Sequence, residues 1–325
     1  MADHADDFHE DIFVYRGGWA PQHVTHVNIL IDKSLDEIED NAFENCQYLS
    51  QVDTHDGLRK VGKDAFCQCW SLRQINLKSV VEIDDGAFFR CENLESVEFG
   101  TRLEKIGNCA FSGCNSLQPL KLPPITTIGS TAFYQCTSLT DVELPERLEA
   151  VGIGAFWGCE RLRRIAIPLK RDLFEFSLLY EKYNQFDGCE ELRTIDLIGG
   201  IHETVASLHM ESWRTEMISE INRINQVLPN TPADDKTGEI LQWMEGVMDK
   251  IDHYKTEHCR YVKEGITLLE LALWKAKLLD EMEDHSEEGH TKKVKVDAKA
   301  ARKERRITCG ADTVIKNVLP FLQLE

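Results

Sequence analysis

The sequence predicts an α/β protein in two parts: a solenoid of short parallel strands and single helical turns, followed by an α-helical hairpin. Three observations lead to this fold class. The motif Ala-Phe-x-x-Cys recurs six times at a nearly constant spacing. Each copy is followed by an alternation of apolar residues with the period of a strand. After Gly199-Gly200 the repeat stops, and apolar residues recur at the three-and-four spacing of helices.

The repeat is regular enough to define the rungs of the solenoid. The motif cysteines are spaced by 23, 22, 23, 22 and 23 residues, and a seventh, degenerate copy follows after 30. These cysteines are Cys46, Cys69, Cys91, Cys114, Cys136, Cys159 and Cys189. One unit cannot bury its own apolar side, whereas stacked units can. With the similarly spaced Val24, Val27 and Ile29 upstream, we predict eight rungs over residues 24–198.

Each rung combines a strand with a helical turn. Leucine stands three residues after the cysteine and apolar residues stand six and, in most units, eight after it, which predicts a strand with one buried face. Glycines such as Gly62, Gly107, Gly129 and Gly152 then suit a sharp turn with positive φ. In the helical turn, alanine allows close approach, phenylalanine fills the interior and cysteine is a small apolar plug. We therefore expect the motif cysteines to be buried and reduced.

These motifs resemble the BspA-like class of leucine-rich repeats, over residues 24–198. The resemblance implies a leucine-rich-repeat solenoid. The sequence differs from the common leucine-rich repeat because no Asn or Cys follows the strand at the usual offset. It also lacks the export signal of bacterial surface proteins of this class, so their adhesive roles are not carried over.

Several further segments resemble an expanded group of such proteins in diatoms, which have no assigned biochemistry. The segments are Ser212-Trp213-Arg214, Leu228-Pro229-Asn230-Thr231-Pro232, Leu271-Ala272-Leu273-Trp274-Lys275 and Val318-Leu319-Pro320-Phe321-Leu322. This resemblance implies a fold and leaves the function open.

The composition of the 325-residue chain excludes several classes of protein. A formal net charge of −19 argues against nucleic-acid and anionic-membrane partners. The exception is residues 292–306, which contain eight basic residues and only two acidic ones. This basic segment follows residues 280–288, which contain six acidic residues. No run is long and apolar enough to cross a membrane, and the N-terminus does not have the pattern of a signal peptide. We expect a cytoplasmic protein with reduced thiols, with the nucleus as the alternative.

We divide the chain into four parts. Residues 1–23 form an N-terminal tail and cap, residues 24–198 the solenoid, and residues 199–285 a helical hairpin. The hairpin has a first helix over about 203–228, a break at 229–232 and a second helix over about 234–284. The second helix carries a coiled-coil seam that is interrupted near Gly265. Residues 286–325 form a charged tail with a terminal amphipathic segment. The second helix is longer than the first, so the first helix cannot cover the whole apolar seam of the second. Another segment or another chain must cover the rest. The candidates are a dimer through residues 234–284 and the tail segment 314–322, of which we prefer the tail.

No set of residues predicts catalysis, a cofactor or a metal site. Cys67-x-Cys69 lacks a second pair, and His253 and His258 are five residues apart, off the spacing of helical metal ligands. Asp235-Lys236-Thr237-Gly238 matches the core of an aspartyl-phosphate motif, but it more plausibly starts a helix with Asp234 or Asp235 as N-cap. We predict that the protein is not an enzyme.

Two surfaces are candidates for partner binding. The outward positions of the strands lie five and seven residues after each cysteine, and they are polar and mostly acidic. The residues singled out there are Asp53, Asn76, Glu98, Lys121, Asp141, Glu143, Arg164 and Asp196. The second candidate is the insertion in the seventh unit, with the aromatic residues Phe174, Phe176, Tyr180 and Tyr183.

These features together favour a non-catalytic intracellular module that binds a protein or peptide on the solenoid face. The alternative is a structural protein that self-assembles through its C-terminal helices. A third hypothesis is a nucleic-acid-associated factor acting through residues 292–306.

Overall fold

A computed structural model describes residues 13–20, 28–175, 184–198 and 211–284, and every structural statement below concerns these ranges. The chain divides into two compact units, Met1–Met248 and Asp249–Glu325. The first contains the solenoid, the first helix and the start of the second helix. The described part of the second unit is the remainder of the second helix.

The solenoid is built from parallel strands that pair rung to rung. The strands that follow the motif cysteines, one in each rung, form two sheets, the first of which also contains two strands that precede Cys46. The first contains β1 (Phe13–Tyr15), β2 (Asn28–Ile31), β4 (Gln51–Asp53), β6 (Gln74–Leu77) and β8 (Ser96–Phe99), and the second contains β10 (Leu120–Lys121), β12 (Asp141–Glu143), β14 (Arg164–Pro168) and β15 (Thr194–Ile198). A third sheet contains β3 (Glu37–Ile38), β5 (Lys60–Val61), β7 (Glu82–Ile83), β9 (Lys105–Ile106), β11 (Thr127–Ile128) and β13 (Ala150–Val151). The predicted strands from β4 onward are confirmed. The first predicted strand is displaced by two residues, because Ile29, where Val27 was expected, pairs with Val52. Strand β1 lies within the segment predicted as the N-terminal cap.

A column of phenylalanines fills the centre of the stack. Neighbouring rings lie parallel: Phe88 and Phe111 have centroids 5.1 Å apart at an interplanar angle of 6°, and Phe111 and Phe133 are 5.5 Å apart at 4°. The column begins with Tyr15, whose ring is tilted against Phe43 at 4.7 Å. Each ring therefore packs against the rungs on both sides, which explains why the motif requires phenylalanine at every step.

The motif cysteines are buried, as predicted, and they also form hydrogen bonds. The thiol of Cys91 donates to the Phe66 carbonyl oxygen at 3.1 Å, and that of Cys136 donates to the Phe111 carbonyl at 3.2 Å. The same bond joins Cys69, Cys114, Cys159 and Cys189 to the motif phenylalanine of the preceding rung. The Phe66 carbonyl also accepts the backbone N–H of Cys69 at 3.1 Å, so the thiol of Cys91 adds a second hydrogen bond to it. The cysteine is therefore a donor as well as a plug.

The predicted role of the turn glycines is wrong. The left-handed conformation lies next to the helical turn, at residues such as Thr131 (φ 53°) and Gln135 (φ 55°), on either side of Ala132-Phe133. Gly107, Gly129 and Gly152 are needed for close approach instead. A Cβ on Gly152 would lie 2.3 Å from the backbone nitrogen of Ser130 in the preceding rung. These glycines allow the close spacing of the rungs that the backbone hydrogen bonds require.

Two helices follow the solenoid, as predicted. The first spans Glu211–Val227, and short 3-10 turns at Leu228–Asn230 and Ala233–Asp235 connect it to the second, which spans Lys236–Asp284. Helical geometry begins at Ala233, so Asp234 and Asp235 lie in the first turn and the predicted N-cap is wrong. The second helix is continuous from Lys236 to Asp284, as predicted. No described helix is long and apolar enough to span a membrane.

Side chains of the helical half replace the missing next rung at the end of the solenoid. In the stack, the Phe111 N–H donates to the Ala132 carbonyl of the next rung at 2.8 Å. At the last rung, the Phe186 N–H donates to the Thr237 hydroxyl at 2.9 Å, and that hydroxyl donates to the Asp187 carboxylate at 3.0 Å. The Thr237 hydroxyl thus occupies the place of the next alanine carbonyl.

Two further side chains complete this C-terminal cap. The Asn225 amide accepts from the Ile195 N–H at 2.8 Å and donates to the Ile195 carbonyl at 3.1 Å, which covers the free edge of β15. The buried Lys236 ammonium donates to the carbonyls of Cys189 and Glu190 at 2.9 and 2.7 Å. Lys236 and Thr237 of the Asp-Lys-Thr-Gly segment are therefore capping residues.

Replacing Thr237 tests the cap. We expect Thr237→Val to lower the free energy of unfolding by about 1–3 kcal/mol, because it leaves the buried Phe186 N–H without an acceptor. Thr237→Ser keeps the hydroxyl and is the matched control, with a smaller loss. Urea unfolding measures both variants, and equal stability of the valine and serine variants would contradict this role.

Candidate partner-binding face

The predicted outward positions of the strands form one polar face of the solenoid, which we term the strand face. In β6 the exposed Gln74 and Asn76 alternate with the buried Ile75 and Leu77. Strand pairing sets Asn76 beside Glu98, Lys121 beside Glu143 and Asp141 beside Arg164. All eight strand residues singled out from the sequence lie on this face: Asp53, Asn76, Glu98, Lys121, Asp141, Glu143, Arg164 and Asp196.

The charges of the strand face are largely compensated within it. Lys78 pairs with Glu98 at 2.8 Å and Lys121 with Glu143 at 2.9 Å, and the Arg164 guanidinium bonds to the Asp196 carboxylate. The acidic character expected from the sequence is therefore reduced. A charged partner would gain little long-range attraction here.

Two exposed aromatic side chains, which the sequence patterns did not single out, lie in the turns before two strands of the strand face. Tyr48 is 65% exposed and Trp70 is 40% exposed, each a few residues before the strand of its rung. Those strands, β4 and β6, are paired neighbours. In most rungs the corresponding positions, one and two after the motif cysteine, carry polar residues, which is the signal that could have identified them. Tryptophan and tyrosine are the side chains that most often dominate binding energy at interfaces.

The insertion contributes less than expected to a surface. Phe174 is 3% exposed, and its ring packs edge-on against Phe186 at 5.6 Å. Its predicted role as a surface anchor is therefore wrong. Phe174 also lines a cavity of about 400 Å³ with Leu173, Met244 and Met248. Phe176, Tyr180 and Tyr183 lie outside the described residues, as do the basic segment 292–306 and the tail segment 314–322.

The described cysteines and histidines do not form a metal centre. No group of three or more His, Cys, Asp and Glu side chains in the described ranges is arranged to hold a metal ion. The ten described cysteines are free thiols. Burial raises the pKa of the motif thiols, that of Cys136 to about 12. Such thiols stay protonated at neutral pH and are poor nucleophiles.

Thiol labelling distinguishes the buried column from the exposed cysteine. We expect the motif cysteines to react slowly with a maleimide in the folded protein and completely in denaturant, because they are buried and protonated. Cys259, exposed on the second helix, is the internal control and should react at once. Mass spectrometry of labelled peptides reads out each site, and labelling of Cys114 as fast as Cys259 would contradict the expectation.

A family model described as a BspA type leucine rich repeat region matches residues 22–124 and 104–226, in six copies. Among solved structures, the chain is similar to a leucine-rich repeat protein of T. pallidum, with 26% identity, covering 62% of this chain and 88% of that one, at a TM-score of 0.46. It is also similar to a leucine-rich repeat protein from Bacteroides ovatus, with 26% identity, covering 53% of this chain and 55% of that one, at a TM-score of 0.37. No curated protein matches the sequence.

Proposed function

Because the chain belongs to the BspA-type leucine-rich-repeat family, whose members are generally protein-interaction modules, we propose that it binds a protein or peptide on its strand face. The supporting observation is the pairing of a rigid polar face with two exposed aromatic side chains in the turns before two of its strands. In-register strands hold the polar side chains in fixed rows, so little ordering entropy is lost on binding. Tyr48 and Trp70 provide the apolar anchors.

The charge pairing on the strand face favours a particular class of partner. The Lys78–Glu98 and Lys121–Glu143 pairs leave few charges available for a strongly acidic or basic ligand. We therefore infer a polypeptide of mixed composition that presents an apolar side chain to Trp70 and hydrogen-bonding groups to the rows. Its affinity should depend only weakly on salt.

The capped end of the solenoid favours a partner that lies on the strand face over a partner that adds a strand to the edge of the sheet. The Asn225 side chain already occupies the N–H and carbonyl of Ile195 in β15, the last strand of its sheet. A partner strand would have to displace that amide. The strand face remains accessible without any such displacement.

A reducing compartment, cytoplasmic or nuclear, is the setting we propose. The free thiols of the described cysteines support it, because thiols persist where the redox poise is reducing. The nucleic-acid hypothesis rests on residues 292–306 and stays a prediction from sequence.

Quantitative affinity capture tests the binding proposal. Full-length protein, the variant with Tyr48→Ala and Trp70→Ala, and the control Trp19→Ala are used as baits in native lysate. Trp19 is an exposed tryptophan outside the positions of the strand face. Proteins lost with the double variant and retained with the control would support the proposal, and so would capture that survives raised salt. Equal retention by all three baits would contradict it.

A further inference from the structure

The second unit carries an apolar stripe on the second helix, in the segment of the described chain with the most exposed apolar side chains. Of eleven exposed large apolar side chains, seven lie from Tyr261 to Leu278, and four of these seven (Tyr261, Leu268, Leu271 and Leu278) form the stripe. Leu268 is 58% exposed and Leu271 is 61% exposed. The adjacent face, with Val262, Leu269 and Ala272, is half-buried. Soluble monomers rarely leave so many large apolar side chains exposed together.

The stripe has the spacing of a coiled-coil seam. It consists of Tyr261, Glu264, Leu268, Leu271, Lys275 and Leu278, separated by three, four, three, four and three residues. This is a heptad pattern over about 27 Å of helix. The stripe shares Tyr261, Leu268 and Lys275 with the stripe predicted for this helix from the sequence. The predicted stripe is buried at Val247 and Ile251 and exposed at Tyr261 and Leu268.

The stripe is complementary to itself in one orientation. When a two-fold axis lies between Leu268 and Leu271, an antiparallel second copy places its Leu271 opposite Leu268. The same axis sets Leu278 of the second copy opposite Tyr261, and Lys275 of the second copy opposite Glu264. Every apolar position then meets an apolar position, and the two charged positions meet their opposites.

The parallel orientation lacks this match. It would set Glu264 against Glu264 and Lys275 against Lys275, and like charges across a seam are destabilising. In the isolated chain Glu264 has only a distant ion pair, 4.0 Å from the Arg260 guanidinium, and its side chain is 61% exposed. Its carboxylate is accessible to a lysine of another chain.

We propose that the chain forms an antiparallel homodimer through this stripe, with Glu264 of each copy paired with Lys275 of the other. The seam is less than three heptads long, so the dimer is weak and concentration-dependent. Each assembly then carries two strand faces, and a partner with repeated motifs would bind with avidity. The dimer does not depend on the proposed partner binding.

Charge exchange across the seam tests the dimer. Full-length protein should show a mass that rises from monomer to dimer with concentration in sedimentation equilibrium. Glu264→Lys and Lys275→Glu should each weaken self-association at least tenfold, because each puts like charges opposite each other. An equimolar mixture of the two single variants should dimerise again, since both opposed pairs in the heterodimer are then of opposite sign. The double variant should also recover.

The mixing experiment also separates a second copy from the tail segment 314–322 as the occupant of the stripe. A tail that covers the stripe within one chain predicts a monomer at every concentration and no gain on mixing, and that result would overturn the proposal. Unchanged dimerisation of both single variants would overturn it as well. Far-UV circular dichroism of each variant checks that the helix is intact.

Discussion

The solenoid should lose stability steeply in mildly alkaline solution, as the pH rises above the ordinary cysteine pKa. The cause is the column of motif thiols. Burial raises the pKa of each of them, to about 12 for Cys136 and well above the ordinary value for Cys69, Cys114 and Cys159. In the unfolded chain the same thiols ionise at about pH 8.5.

The sign of the effect follows from the direction of these shifts. A group whose pKa is higher in the folded state stabilises the fold fully below its unfolded pKa, and this contribution is lost as the pH rises towards the folded value. Each thiol therefore removes about 1.4 kcal/mol per pH unit once the unfolded chain ionises. Six fully buried motif thiols (Cys69, Cys91, Cys114, Cys136, Cys159 and Cys189) act together, so their combined loss is a large part of the stability of a typical domain.

The measurement is the dependence of the unfolding free energy on pH, from urea unfolding in a thiol-free reductant. The double variant Cys91→Ala with Cys114→Ala should be less stable at neutral pH, because two S–H donors to phenylalanine carbonyls are lost. Its alkaline slope should nevertheless be shallower by about 2.7 kcal/mol per pH unit. Cys259→Ala removes an exposed thiol and should leave the slope unchanged. Parallel slopes for the parent and the double variant would show that other groups cause the alkaline loss.

The rung was predictable from the sequence because its determinants repeat. The positions of Phe111 and Cys114, and of the strand that follows, are fixed by a period that six copies share. A repeated apolar position must face the neighbouring rung, whatever the details of the backbone. The predicted burial of the motif cysteines was confirmed for the same reason.

The hydrogen bonds of the cysteine thiols and the positions of the left-handed residues could not be predicted from the sequence. Nothing in a spacing distinguishes an apolar plug from a thiol that donates to a carbonyl. The left-handed positions around the helical turn are occupied by Asn41, Asp64, Cys109 and Thr131 in successive motifs, with glycine at others. Because the hydrogen bonds between rungs determine this backbone, the residue type varies and no sequence signature remains.

The cap could not be predicted because its partners are far apart in the chain. Thr237 and Asn225 each substitute for one backbone group of a missing rung, and they contact residues 51 and 30 positions away. A single hydroxyl or amide has no period to reveal it. Likewise, the strand-face residues were predictable from alternation, whereas the importance of Tyr48 and Trp70 depends on their exposure.

Phe111→Ala should lower the free energy of unfolding by about 3–5 kcal/mol, because it removes a fully buried ring from the middle of the stack. Phe111 packs between Phe88 and Phe133 and also meets Phe99 edge-on at 5.9 Å. The alanine leaves a cavity that the rungs cannot close, since their spacing is set by backbone hydrogen bonds on both sides.

Phe89→Ala is the matched control, since it removes the same side chain from the half-buried surface of the neighbouring rung. It should cost about 1 kcal/mol, as expected for a partly exposed contact. Urea unfolding at neutral pH measures both, and equal losses would mean that the ring column does not hold the stack together.

Because each rung contacts only its neighbours, a gap at Phe111 also weakens the coupling between the two halves of the solenoid. We therefore expect Phe111→Ala to broaden the transition as well as shift it, whereas Phe89→Ala should shift it without broadening.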